Sequence, residues 1–236
     1  MNIRKYVSDQ SRISSITLFL FASLSLSFYE SQSQQKYATS QNRTTPASDT
    51  TIKPGHLTPQ ERDFATGFLK ETELGVSSAI KGLNQAQLTW KPAVDKWSVE
   101  DCVKHIAVSE KNIWEMVNQS LQQPANPDKR SGIKSTDEQL INAVKDRSHK
   151  SKTGETFEPA NAGYKSLSDA LASFQENRDK LIVYVNSTAD DLRNHVSVLP
   201  FGTYDAYQII LLISAHSNRH TQQIEEVKAN VNFPKL

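Results

Sequence analysis

Five consecutive aliphatic residues, Ile209-Ile210-Leu211-Leu212-Ile213, constrain this chain more than any other feature. They fall in the first half of a helix expected from about Asp205 to Ala229, capped by Thr203 after Gly202. Five apolar residues in a row cover every side of a helix, so this one must be surrounded by other elements rather than lie on a surface. The rest of the sequence supplies those elements as further helices.

The first helix is announced by Thr58-Pro59-Gln60-Glu61: a threonine cap, a proline suited to the first helical position and a glutamate placed to close a capping box. Phe64, Phe68, Leu69, Val76, Ile80 and Leu83 follow at helical spacing. A loop from Leu88 to Trp97 carries Trp90 and Trp97, expected to cover one end of the bundle. The second helix starts at Ser98, with Asp101 reaching back, and is closed by Pro124 and Pro127. Ser135 and Glu138 read as the capping box of a shorter helix ending near His149. A polar loop follows, and then a long helix from Ser166 or Ser168 with Leu171, Phe174, Leu181, Ile182 and Val185 on its apolar face. A short helical turn is expected at 189–193. No segment alternates polar and apolar over a sustained stretch, so the expected class is all-α: an antiparallel four-helix bundle with an additional short helix.

The folded part is expected over residues 57–232. Residues 1–33 have a basic start (Arg4, Lys5, Arg12) and an uncharged apolar run from Ile13 to Leu26, the form of a secretory signal or, if retained, of an N-terminal anchor. Residues 34–56 are rich in Gln, Ser, Thr and Asn and read as a disordered linker. The expected location is therefore periplasmic or extracellular, with membrane attachment only if the N-terminal segment is kept. Formal net charge is +1 and no basic stripe with interleaved aromatics occurs, which argues against a nucleic-acid partner. The single cysteine, Cys102, excludes an internal disulfide and a CxxC zinc site. Three residues before His105, it reads as a buried inert thiol.

Chemistry concentrates in the last helix. His216 and His220 are four apart, so their side chains share one helical face and can converge on one ion. Position 217 is serine, so the glutamate of zinc-protease helices is missing. The pair alone is weak, and two histidines bonded to neighbouring carboxylates would look the same. It follows a wholly apolar stretch, however, and His105 lies between Val103 and Ile106 in another amphipathic helix. Three core-level imidazoles on two helices need partners for their ring nitrogens. Asn112 and Ser109, on a face similar to that of His105, and Gln223, three beyond His220, are candidates to orient a ligand or substrate. Glu110 is off that face and reads as solvated; Arg219 reads as a surface residue, and Trp90, Trp97 and Trp114 as core.

The order Lys91-Pro92, Trp97-Ser98, His105, then His216 and His220 followed by Gln223-Ile224 resembles the DinB/YfiT-like metalloenzyme family over roughly Leu57 to Val231. The resemblance implies a four-helix bundle with a divalent metal on His105, His216 and His220. It also implies chemistry on a small molecule, including thiol transfer to electrophiles. Imidazole suits Zn, Ni, Fe and Cu alike, so it does not choose the ion, and the expected cofactor is a divalent Zn, Ni, Fe or Mn. The expected function is a metal-dependent transferase or hydrolase with a small-molecule substrate. The alternatives are a non-catalytic metal- or ligand-binding helical module and a helical protein with no metal. Whether the domain forms a homodimer stays open.

Overall fold

The computed structural model describes residues 55–149 and 152–235; the signal or anchor segment at 1–33 and all of the expected linker but Gly55 and His56 lie outside them. Among the described residues, no helix is long and apolar enough to cross a membrane.

Helix α1 (Pro59–Ile80) begins as the sequence implies, with the Thr58 hydroxyl accepting from Glu61 N and the Glu61 carboxylate accepting from Thr58 N. A five-residue helix, α2 (Gln85–Thr89), capped by Asn84, occupies part of the segment expected as loop. Helix α3 (Val99–Leu121) opens with the Ser98–Asp101 box. The short helix α4 (Asp137–Lys145) starts one residue later than expected, because Thr136 and Gln139 form its box rather than Ser135 and Glu138, and it ends before His149. Helix α5 (Leu167–Ser187) takes Ser166 as its cap, and α6 (Ala206–Lys228) completes the set. Short 3-10 turns at Pro127–Gly132, Glu155–Phe157 and Pro159–Asn161 punctuate the α3–α5 connection.

Two expectations fail between α5 and α6. The cap of α6 is Asp205, whose carboxylate accepts from Gln208 N; Thr203 is instead in a strand. The connection also forms an antiparallel hairpin, β1 (Val196–Leu199) and β2 (Gly202–Asp205), and the 189–193 segment is turn and bend rather than helix. Pro200 and Phe201 make the tip. Gly202 has φ +149°, and a Cβ there would come within 2.5 Å of the Tyr204 hydroxyl, so only glycine fits the turn.

The long helices α1, α3, α5 and α6 form a four-helix bundle in which α1 and α3 each pack against both α5 and α6. Their directions follow from the contacts. Tyr207 donates to Glu61 O near the start of both α1 and α6, and Lys228 donates to Ala79 O near the end of both, so this pair is parallel. Arg62, early in α1, bonds Val185 O and Thr188 O at the end of α5, so that pair is antiparallel. Contacts of α3 with α5 run in register from Glu110–Arg178 to Trp114–Tyr184, which is parallel. Parallel neighbours need a long return, and the 122–166 connection provides it, with α4 packed along α6 on the way.

The core has two apolar halves. One gathers Ile209, Ile210, Leu211 and Ile213 of α6 with Leu69, Val117 and Leu181; the other gathers Val99, Val103, Ile106, Phe174 and Ile224. Full burial of each such aliphatic side chain contributes about 1.5–3 kcal/mol. The apolar run of α6 is buried throughout, as its composition requires.

Candidate metal centre

Helices α3 and α6 run antiparallel, so the first half of α3 faces the second half of α6. His105 is thereby brought onto the His216–His220 pair. Each offers one ring nitrogen, and the three nitrogens lie within 4.8 Å of one another. His216 Nε2 is 3.2 Å from His105 Nε2 and 3.2 Å from His220 Nε2. Bonds of about 2.0–2.1 Å in a tetrahedral zinc site place nitrogens about 3.3–3.4 Å apart, so the donor set has the right size for one ion.

The outward nitrogens decide where the protons are. His105 Nδ1 is 2.6 Å from the Phe157 carbonyl oxygen, which can only accept. His220 Nδ1 is 2.9 Å from Gln223 Oε1, also an acceptor. Both Nδ1 atoms therefore carry hydrogen, and in the neutral ring Nε2 is left with a lone pair. The imidazoles are neutral because burial disfavours the charged form. Burial, then the neighbouring His105 and Arg219, push His216 down to about 3. Burial also lowers His105, against the Phe157 carbonyl, and takes His220 well below its ordinary value, helped by His216 and His105. His216 could satisfy only one of its two neighbours with a proton of its own. Three inward nitrogens that share at most one proton are a donor set of the kind a divalent cation completes.

Trp97 covers this cluster, with its ring centroid 4.7 Å from that of His105 and 5.7 Å from that of His220. It is half-buried against the site rather than simply core. Trp90 does pack at a bundle end, edge-on to Phe233. Trp114 packs at 4.9 Å from Tyr184.

The other sequence candidates divide. Gln223 is joined to the cluster through His220. Ser109 is buried one turn beyond His105, and its hydroxyl has no partner among the described residues. Asn112 is half-buried on a similar face, and no bond among the described residues joins it to the histidines. Cys102 is buried, which raises its thiol well above the ordinary value, as expected of an inert group. Glu110 is not solvated. It is 2% exposed and paired in the core with Arg178, because the side of α3 away from His105 meets other helices rather than water. Arg219 is not a simple surface residue either, since it donates to the carbonyls of Val144, Asp146 and His149.

Sequence reasoning missed Trp97, the Phe157 carbonyl and Arg147, whose guanidinium reaches Gln223. The first had a signal, a tryptophan adjoining the helix that bears His105. A loop carbonyl carries none.

Known proteins resemble the chain. It is 25% identical over 165 residues, covering 70% of its own length and 97% of the relative, to the uncharacterized protein YuaE of Bacillus subtilis (strain 168). Its fold is similar to that of YfiT from Bacillus subtilis, described as a probable metal-dependent hydrolase with an unusual four-helix bundle topology, with a TM-score of 0.52, 17% identity, and 80% of this chain and 94% of that one covered. The sequence pattern of the DinB superfamily matches residues 69–224, from the middle of α1 to near the end of α6, and the chain therefore belongs to the DinB superfamily.

Proposed function

We propose that the protein is an exported, divalent-metal-dependent hydrolase of a small molecule, with the metal on His105, His216 and His220. The observation that carries this reading is the convergence of three neutral imidazoles whose Nε2 atoms face one another while the Nδ1 protons of His105 and His220 are held outward. The description of YfiT as a probable metal-dependent hydrolase supports the same reading. Three protein ligands leave at least one coordination position for water or substrate. When bound, the metal supplies Lewis acidity and lowers the pKa of a water beside it.

The residues of the chain do the rest. Phe157 O and Gln223 Oε1 hold two rings in the metal-binding tautomer. Trp97 shields one side of the cluster from water, which strengthens electrostatic interactions there. A neutral imidazole keeps one ring nitrogen free of a proton, so an ion need not compete with an imidazolium proton there. An extracytoplasmic location would deprive the protein of cytosolic thiol cosubstrates. Hydrolysis is on that ground preferred to thiol transfer.

The full chain, purified without chelator or histidine tag, should carry about one transition metal per chain by elemental analysis. The His216→Ala/His220→Ala variant should carry none. A metal-free wild type that also fails to take up Zn, Ni, Fe or Mn on titration would remove the metal and with it the hydrolase.

A further inference from the structure

The α4–α5 connection touches both flanks of the histidine cluster. The end of α4 and the first residues of the connection, 144–149, are bound along one face of α6. Arg219 holds the carbonyls of Val144, Asp146 and His149, Gln222 Nε2 donates to Lys145 O at 3.2 Å, and Arg147 grips Glu226 through Nε and Nη2, both at 2.6 Å. Farther along, the same connection delivers Phe157 O to His105.

Gln223 lies in the middle of that face. Its Oε1 is 2.9 Å from His220 Nδ1 and 3.5 Å from Arg147 Nη1. The second distance is long for a hydrogen bond, but it sets a full positive charge against the oxygen end of an amide dipole. A glutamine amide has two ends of nearly the same shape, one accepting and one donating. With Oε1 toward His220, Nδ1 must carry the proton. With the amide flipped, its NH2 would donate to Nδ1, and the ring proton would move to Nε2, the nitrogen facing His216. Guanidinium nitrogens only donate, so the flipped amide would set donors against donors at Arg147.

We propose that Arg147, anchored by Glu226, is a positioning residue for the histidine cluster: it fixes the amide of Gln223 and, through it, the Nδ1–H tautomer of His220. The role rests on the metal-centre reading for its purpose, but its chemistry is complete in the metal-free chain. The two flanks differ in kind. The Phe157 carbonyl cannot donate whatever its surroundings, so His105 is fixed unconditionally. His220 is fixed only while Gln223 is held.

The test uses the full metal-free chain with nitrogen-15 histidine. Two-bond proton–nitrogen correlations at pH 8 report the His220 tautomer, and chelator competition reports zinc affinity. Wild type should show a single Nδ1–H tautomer. Arg147→Met should admit the Nε2–H tautomer and bind zinc about 10- to 100-fold more weakly, the usual effect of removing a residue that orients a metal ligand. Adding Gln223→Glu to Arg147→Met should restore both, since a carboxylate has no donating end. That rescue would not follow from a merely structural loss. Should Arg147→Met fail to fold, Glu226→Gln removes one charge from the anchor of Arg147 and should shift the tautomer in the same direction.

An unchanged tautomer in the folded variants overturns the proposal, whether or not zinc binding falls. A tautomer that shifts without rescue by glutamate overturns it too. If wild type binds no zinc yet its tautomer answers to Arg147, the metal reading fails and the positioning role stands.

Discussion

Two polar clusters lie inside the same bundle, in contact with the same stretch of α6, and they solve burial in opposite ways. At Arg178, which is 0% exposed, every donor is answered. Nε and one Nη2 hydrogen go to the Glu110 carboxylate at 2.9 and 2.5 Å; the others go to Leu69 O at 2.7 Å, Thr72 Oγ1 at 2.7 Å and Ser217 Oγ at 2.9 Å. A guanidinium has five N–H bonds, and all five are used. The hydroxyls pass their own hydrogens on, Thr72 to Phe68 O and Ser217 to Ile213 O. This cluster ties four helices together and needs nothing from outside. The histidine cluster is its converse: its outward protons are satisfied and its inward lone pairs are not. Closure marks a structural cluster, and an unmet inward donor set marks a site.

The largest expected effect comes from opening the closed cluster. Arg178→Met leaves the Glu110 carboxylate buried without a cation, which costs about 3–5 kcal/mol when one partner of a buried pair is removed. Urea unfolding of the metal-free chain measures it. Arg178→Met/Glu110→Leu should recover most of the loss, because no charge is then stranded. A loss below about 1 kcal/mol in the single variant would mean that the pair does not lock the bundle.

A smaller effect separates the clusters by pH. In the folded metal-free chain, burial holds all three imidazoles below their ordinary value, His216 at about 3. Below about pH 6.5 the unfolded chain takes up protons that the folded chain refuses, so stability is present above that pH and is lost as pH falls. Each strongly depressed imidazole contributes up to about 1.4 kcal/mol per pH unit in that window, so for each unit of pH the effect stays below the loss at Arg178. His216→Ala/His220→Ala should therefore flatten the loss between pH 6 and pH 4. Equal acid slopes in wild type and variant would place the acid sensitivity elsewhere.

The contrast was only half visible in the sequence. The central helix was legible because Ile209 to Ile213 left no polar face, and the start of α1 because Thr58 and Glu61 stand three apart with proline between them. The starts of α3 and α5 were legible for related reasons. At α4, Ser135–Glu138 and Thr136–Gln139 both satisfy the capping pattern, and sequence cannot choose between adjacent boxes. The hairpin has strands of four residues, too short for alternation to declare itself. The three histidines could be grouped because helical spacing gives one pair and amphipathic position gives the third. Glu110 and Arg178 could not, since their pairing across α3 and α5 is tertiary and a charged residue off the apolar face reads as solvated. Arg147 is the same problem in a loop.

The smallest effect tests whether the clusters are independent. Ser217 sits between His216 and His220 in sequence, yet its hydroxyl turns to Arg178 at 2.9 Å. Ser217→Ala removes one of the five acceptors of Arg178 and leaves the Glu110 carboxylate, Leu69 O and Thr72 in place. The expected cost is about 1 kcal/mol in urea unfolding, the ordinary worth of one hydrogen bond. Zinc affinity should stay within about twofold of wild type, because helical spacing turns the Ser217 side chain away from the face that presents the histidines. If affinity instead falls tenfold with the same small loss of stability, the closed cluster is setting the rotation of α6 that aims both histidines. Arg178 would then belong to the metal centre as well as to the core.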